Sequence, residues 1–136
     1  MQKIIWGEIS DKPKFAIDLN GDYCPEATTF LMTGSHLKYL LCFLNSNLSE
    51  YFFAKYGTTT GMGTLRWKKY LIELLPIPVV DDSKEKSIIQ LLDTLLISDS
   101  SDLKIIEQIN HKIYELFDFT EDEKSFIEKM VQQGAH

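Results

Sequence analysis

The sequence predicts an α+β fold: a small mixed or antiparallel sheet with packed helices, followed by a C-terminal piece of about three helices. The first 80 residues hold short runs of β-branched and aromatic residues between turn residues, which is typical of strands. Beyond Val80 the apolar residues recur at helical spacing between capping residues. We therefore divide the chain into a body, residues 1–80, and a helical segment, residues 81–136.

In the body, strands are predicted at Lys3–Ile9, Lys14–Asp18 and Ala27–Thr33. Asn20-Gly21-Asp22 is typical of a hairpin turn between two of them. Ser35 is expected to cap the helix that follows.

The helix after Ser35 has an apolar face from Leu37 to Phe52, and Asn45-Ser46-Asn47 is a candidate interruption. Pro76 and Pro78 exclude a helix, so residues 76–80 are predicted to be extended. Three helices are predicted beyond them. Their start signals are Asp81-Asp82-Ser83, Asp99-Ser100-Ser101-Asp102 and the capping box Thr120-Glu121-Asp122-Glu123.

The net charge of −6 is distributed unevenly along the chain. Residues 1–80 hold eight bases and seven acids (+1), whereas residues 81–136 hold six bases and thirteen acids (−7). Between Glu50 and Glu73 there is no acid at all, and four bases stand there among three glycines and four threonines. Such a donor-rich stretch suits phosphates and base edges. We expect the glycine- and threonine-rich loop to be the binding element.

Motifs for catalysis or metal binding are not evident. Cys24 and Cys42 lack metal-type spacing and are interpreted as reduced structural residues of a cytosolic protein. His36 and His111 are interpreted as surface or capping residues. No apolar run is long enough to cross a bilayer, and the first residues lack a signal-peptide pattern. We expect no catalytic residue, no metal and no cofactor in this domain, no membrane contact and a cytoplasmic location.

Several landmarks occur in a characteristic order. They are Lys3-Ile4-Ile5-Trp6, Glu8-Ile9-Ser10, Thr29-Phe30, Leu37-Lys38-Tyr39-Leu40-Leu41, Leu44-Asn45-Ser46, the loop with Arg66, Leu75-Pro76-Ile77-Pro78 and Ile113–Glu123. This order resembles the target recognition domain of restriction–modification proteins, in particular the TaqI-like C-terminal specificity domain. Such domains form the C-terminal part of adenine-specific DNA methyltransferases and of fused (type IIG) restriction–methylation enzymes. They are also similar to the recognition halves of type I specificity subunits.

The resemblance implies sequence-specific binding of double-stranded DNA through loops in the major groove. We assign Arg66 to a guanine or a phosphate, and Thr58, Thr59 and Thr60 to base edges. Candidates for phosphate contacts are Lys12, Lys14, Lys68 and Lys69. By the same resemblance the helices after Val80 are a spacer that docks on a catalytic domain or on a second copy.

The sequence contains no Asn-Pro-Pro-Tyr or similar amino-methylation motif, no cofactor-binding glycine motif and no convincing nuclease pattern. We therefore expect a non-catalytic fragment that begins where a catalytic domain would end. The resemblance implies a parent with an N-terminal methyltransferase domain, with or without a nuclease domain. That parent would use S-adenosylmethionine, and Mg²⁺ if it cleaves.

Two alternatives stay open at this point. A protein–protein adaptor would work through the helices after Val80, with self-association along a stripe of Ile106, Ile109, Ile113 and Leu116. A small anion or nucleotide site would use the glycine loop. A dinucleotide fingerprint is disfavoured, because Arg66 occupies the position of its third glycine.

Overall fold

The computed structural model describes residues 2–7, 9–10, 12–21, 29–56, 58–59, 65–67, 72–98 and 102–132. Within these ranges the strands are β1 (Lys3–Gly7), β2 (Ile9–Ser10), β3 (Ala16–Asp18), β4 (Thr29–Met32), β5 (Thr58–Thr59) and β6 (Leu65–Arg66). The helices are α1 (Leu37–Leu44), α2 (Asn47–Tyr56), α3 (Asp82–Ile97), α4 (Leu103–Glu115) and α5 (Glu121–Gln132). The predicted α+β class and the three C-terminal helices are confirmed.

The described strands form two small antiparallel sheets, in the orders β3-β1-β4 and β2-β6-β5. In β1, Ile4 and Trp6 are buried, which is the two-residue period of a strand with one face on a core. The run predicted as one strand, Lys3–Ile9, serves both sheets: β1 is the centre of the first, and β2 is an edge of the second. One stretch of backbone therefore connects the two sheets directly.

The turn predicted at Asn20-Gly21 exists, but its hairpin role is wrong. Gly21 has a φ of 78°, and its N–H donates to Asp18 Oδ1 at 2.9 Å. However, β3 and β4 both pair with β1, on its opposite edges. Because β1 lies between them, β3 and β4 are not paired with each other as the two strands of a hairpin.

The predicted cap of α1 is also wrong. His36, not Ser35, is the N-cap, and it has left-handed backbone angles (φ 59°, ψ 29°) with no side-chain capping hydrogen bond. Ser35 lies one residue too early to reach the free N–H groups of the first turn. The break between α1 and α2 is confirmed, and there Ser46 Oγ accepts from Ser49 N at 3.3 Å.

The caps predicted for the last three helices are confirmed. The Asp81 carboxylate accepts from Lys84 N at 2.8 Å, and that of Asp102 from Lys104 N at 3.0 Å. At α5 the capping box is reciprocal. Thr120 N donates to Glu123 Oε1 at 2.9 Å, and Glu123 N donates to Thr120 Oγ1 at 3.2 Å.

The main hydrophobic core contains residues from both sides of Val80. Ile4 and Phe43 of the body and Ile88 and Ile113 of the helical segment belong to one buried cluster, and each is at most 1% exposed. A second, smaller cluster of Tyr114, Ile127 and Val131 packs with partly buried residues of α2. The division at Val80 stays a prediction, but α3 and α4 contribute directly to the core of the body.

Polar contacts fasten α1 to α3 and to the segment before it. Lys38 Nζ lies 2.8 Å from Asp93 Oδ1, and His36 Nδ1 lies 2.6 Å from Glu85 Oε1. The Tyr39 hydroxyl donates to the Pro78 carbonyl at 2.8 Å. Among the described helices none is long and apolar enough to cross a membrane.

Candidate nucleic-acid interface

Strands β5 and β6 bring the predicted threonines and arginine together. Thr58 lies opposite Arg66 in their antiparallel ladder, and Thr59 lies opposite Leu65. On its other edge β6 pairs with β2, where Ile9 lies opposite Arg66. The Arg66 backbone is therefore in the central strand of this sheet, and residues 60–64 connect β5 to β6.

Lys12 and Lys14 come shortly after β2, where the chain leaves this sheet. β2 ends at Ser10, which pairs with Leu65, the first residue of β6. The chain leaves the ladder there, at the end where β5 also stops, and continues to the two exposed lysines. Lys3 is different: it is 7% exposed and its Nζ lies 2.9 Å from Asp18 Oδ2, so it holds β1 to β3.

Trp67 anchors the hairpin at its base. It directly follows β6, is 1% exposed, and its carbonyl accepts from the Trp6 indole N–H at 2.9 Å. Its ring centroid lies 4.3 Å from that of Phe53 on α2 and 5.9 Å from that of Phe15. Trp67 therefore ties the hairpin to both the first sheet and α2.

Asn45, at the turn between α1 and α2, positions the lysine segment. Its Oδ1 accepts from Phe15 N and its Nδ2 donates to Phe15 O, both at 2.9 Å. The two bonds imitate a strand pairing and fix the backbone next to Lys14. Sequence reasoning identified Asn45 as a helix interruption and as part of a family landmark, but not its contact with Phe15, because a contact between residues 30 positions apart leaves no local pattern.

The predicted DNA-binding residues fall into three groups. Lys12 and Lys14 are described as exposed side chains. For Thr58, Thr59 and Arg66 the structure gives the backbone placement in β5 and β6. The remaining candidates, Thr60, Lys68 and Lys69, lie outside the described residues, as do Tyr70 and Cys24.

Among the described residues, burial clearly shifts the pKa of three side chains, all of them in the helical core. The pKa of Tyr39 is raised to about 12 by burial and then by the charge of Glu85. Burial raises the pKa of the Cys42 thiol to about 12, with a further contribution from Asp93, and burial raises the pKa of Tyr114 to about 12 as well. Each of the three groups is therefore protonated at neutral pH. Cys42 is a buried free thiol, as predicted.

The apolar stripe that the adaptor alternative requires lies in the interior of the chain. Ile109 and Ile113 are buried in the core, and Ile106 and Leu116 pack against it. The stripe suggested for self-association is thus occupied within the chain itself. Within the described ranges no group of three or more His, Cys, Asp or Glu side chains is placed to hold a metal ion.

A family model, the TaqI-like C-terminal specificity domain, matches residues 1–77, which is more than half of the chain. The chain belongs to this family. The resemblance deduced from the landmarks is confirmed, and membership gives the TaqI-like domain a role in DNA sequence specificity within restriction–modification enzymes. The match includes all six described strands, α1 and α2, whereas α3–α5 lie beyond it. No curated protein matches the chain.

Proposed function

We propose that this TaqI-like domain reads a specific double-stranded DNA sequence for an adenine-N6 methyltransferase, with or without endonuclease activity. The observation that carries the proposal is the β5–β6 hairpin. It holds Thr58 and Thr59 opposite β6 and places Arg66 in the central strand. Strand β5 ends at the same end of the sheet as β2, which the chain leaves toward Lys12 and Lys14. The major groove admits a two-stranded β-ribbon, and only there does each base pair show a distinct pattern of donors and acceptors.

In this proposal the side chains divide the work. Arg66 makes a bidentate contact with guanine, and the hydroxyls and methyls of Thr58, Thr59 and Thr60 contact base edges. Lys12, Lys14, Lys68 and Lys69 bind phosphates, which position the domain without reading sequence. The anchored Trp67 supports this division, because a reading element must be held in a fixed orientation at its base.

The domain itself takes no part in the chemistry. A partner methyltransferase domain in the parent protein extrudes the target adenine, whose amino group is unreachable inside the stack, and S-adenosylmethionine supplies the methyl group. If the parent also cleaves, a nuclease domain supplies that step with Mg²⁺. Helices α3–α5 carry the acidic part of the sequence, so they face away from DNA and toward protein. Because the proposed target is cellular DNA, we infer that the protein is cytoplasmic.

The proposal is tested with Arg66→Ala in the full-length parent, by titration with the cognate duplex and with a random duplex. If Arg66 reads a base, specific binding weakens by roughly 1–3 kcal/mol and non-specific binding changes little. The matched control is Lys104→Ala on α4, an exposed base outside the hairpin. An equal loss on both duplexes would assign Arg66 to a phosphate. No loss on either duplex would remove the hairpin from the interface.

Lys68→Ala tests the assignment of phosphates in the same parent. The slope of log K against log salt is expected to decrease by about one unit, because one phosphate contact releases about one counterion. Affinity should fall equally on cognate and random duplexes. Lys129→Ala on α5 is the control, and an unchanged slope for Lys68→Ala would exclude that side chain from the interface.

A further inference from the structure

Trp6 links the two sheets through its side chain. It lies in β1, the central strand of the first sheet, and is 5% exposed. Its indole Nε1–H donates to the carbonyl of Trp67, 61 positions further along the chain, at 2.9 Å. Trp67 directly follows Arg66, the last residue of β6. The bond therefore runs from the first sheet to the end of the strand that carries Arg66.

Two aromatic rings hold the indole of Trp6 in place. Phe30, which lies opposite Trp6 in the β1–β4 ladder, stacks on it with ring centroids 5.6 Å apart and planes 22° apart. The ring of Phe15 lies 5.4 Å from the indole, with planes 41° apart, and Phe15 is itself buried. Because a close-packed interior resists rotation of its side chains, the indole N–H keeps a fixed direction.

This hydrogen bond determines orientation more sharply than the ring contacts of Trp67 do. The Trp67 ring packs on the rings of Phe53 and Phe15, and apolar burial stabilises without a preferred direction. A hydrogen bond prefers a nearly straight geometry, so it restricts the direction of the Trp67 carbonyl. Strands β2, β5 and β6 are two residues long each, and ladders this short fix the orientation of a sheet poorly by themselves. The bond from Trp6 therefore contributes a directional constraint between the two sheets.

We propose that Trp6 is a positioning residue for DNA reading, which acts through the Trp67 carbonyl to hold Arg66 in the orientation of a bidentate guanine contact. This role rests on the proposed function, and it adds a residue outside the hairpin on which sequence discrimination depends. Recognition groups must be held within about 0.5 Å and 10–20° of the productive geometry. Loss of the bond should therefore lower sequence discrimination, whereas phosphate contacts, which position the domain without reading sequence, should be retained.

The test replaces Trp6 in the full-length parent by 3-benzothienylalanine, an isostere in which sulfur takes the place of the indole N–H. The ring and its packing remain, but the donor is removed. Binding to the cognate duplex should weaken by about 5- to 50-fold, since a bidentate contact contributes about 5- to 150-fold of discrimination. Binding to a random duplex should change by less than about twofold, because the phosphate contacts remain. For the same reason the slope of log K against log salt should not change.

Tyr39→Phe is the matched control. It removes another hydrogen bond from a buried aromatic side chain to a backbone carbonyl, that of Pro78 at 2.8 Å, outside the hairpin. Both variants should lose stability to a similar extent in urea denaturation, because each loses one such bond. Tyr39→Phe should leave both duplex affinities within about twofold of the unmodified parent, because distant sites act independently. A residue that only stabilises the fold would behave as this control does.

A measurement without DNA checks the positioning itself. Residual dipolar couplings of the 136-residue chain report the orientation of β5 and β6 relative to α3–α5. The isostere at position 6 should change the couplings of the β5 and β6 amides and leave those of α3–α5 as they are. The Tyr39→Phe control should leave the couplings of β5 and β6 unchanged.

Three results would overturn the proposal: unchanged couplings in β5 and β6, an equal loss of affinity on both duplexes, or an unchanged ratio of cognate to random binding. Arg66→Ala distinguishes these results from failure of the proposed function. If Arg66→Ala lowers the ratio and the isostere does not, the reading role stands and Trp6 has no part in it. If neither lowers the ratio, the reading role and the positioning role are both wrong. If the isostere alone lowers it, Trp6 does not act through Arg66, and the proposal is overturned as well.

Discussion

The Asn45 side chain makes the hydrogen bonds to the Phe15 backbone that a neighbouring strand would otherwise make. Its side-chain amide donates to and accepts from the Phe15 backbone, as a neighbouring strand would. The segment between β2 and β3 thereby gains a fixed path over the α1–α2 turn. That path carries Lys12 and Lys14, so a polar residue on the helical side positions a part of the candidate DNA interface.

We expect Asn45→Ala to lower the free energy of unfolding by about 1–3 kcal/mol, since two hydrogen bonds are lost and two backbone groups need new partners. Urea denaturation followed by circular dichroism measures the change. Asn20→Ala, at the exposed turn after β3, is the control and should stay within about 0.5 kcal/mol. A cost for Asn45→Ala no larger than that of the control would contradict the structural role.

Tyr39 makes a pH-dependent contribution to stability. Its pKa rises from about 10 in the unfolded chain to about 12 in the folded protein, because burial and Glu85 both disfavour the phenolate. Below pH 10 both states are protonated and the contribution is complete. Between pH 10 and 12 only the unfolded state releases the proton, so stability falls.

The variant Tyr39→Phe should therefore lose stability less steeply between pH 10 and 12 than the unmodified chain. The measurement is urea denaturation at pH 8, 10 and 11. At pH 8 the variant is expected to be less stable by about 0.5–1.5 kcal/mol, for the lost hydrogen bond to Pro78. Parallel pH profiles for the two proteins would show that Tyr39 does not hold its proton in the folded state.

At the scale of elements, the helices after Val80 begin at side-chain caps. The reciprocal bonds of Thr120 and Glu123 satisfy two backbone N–H groups at the start of α5. Since α5 packs on α2 through Ile127 and Val131, its first turn also determines how it meets the body.

Thr120→Ala is expected to destabilise the protein by about 0.5–2 kcal/mol, the usual cost of losing an N-cap. Thr94→Ala is the matched control, because the Thr94 hydroxyl only bonds back to Gln90 O within α3. That control should be neutral, since alanine has the higher helix propensity. Thermal unfolding gives both values, and equal midpoints for the two variants would show that the capping box is not a stabilising contact.

The elements also show why sequence reasoning succeeded in some places and failed in others. Caps and helix faces depend on neighbours within four residues, so Asp81, Asp102 and Thr120 were predictable. Strand partners depend on distant segments, so the sharing of Lys3–Ile9 between two sheets was not. For the candidate site, Thr58, Thr59 and Arg66 were chosen from the composition of the loop, whereas the pairing of β6 with both β5 and β2 required the fold. Leu103 has core spacing but is 71% exposed, because periodicity identifies a face and not what covers it.

For the whole molecule, the shared core predicts that the body and the helical segment unfold together. Ile88 on α3 is buried against the body, whereas Ile97 on the same helix is 86% exposed. We expect Ile88→Ala to cost about 2–5 kcal/mol and Ile97→Ala to cost less than about 0.5 kcal/mol.

Tryptophan fluorescence measures this effect in the body, because Trp6 and Trp67 are the two tryptophans of the chain and both lie in residues 1–80. Ile88→Ala should shift the fluorescence transition by as much as the helical circular dichroism signal. A fluorescence midpoint that stays constant while the helical signal shifts would establish two independent folding units, as the division at Val80 predicts.

Among the described residues, the hairpin joins the rest of the molecule through Trp67, which follows β6, and through β2, which pairs along one edge of β6. The pairings of β6 with β2 and with β5 are backbone ladders, which do not depend on the identity of the side chains. We therefore expect Thr58, Thr59 and Arg66 to accept other strand-forming residues without a large cost to folding. If the proposed reading role is right, a library that randomises Thr58, Thr59 and Arg66 while retaining Trp67 should yield folded proteins with new DNA preferences. The DNA target could change in evolution through the same substitutions, because they would cost little free energy of folding.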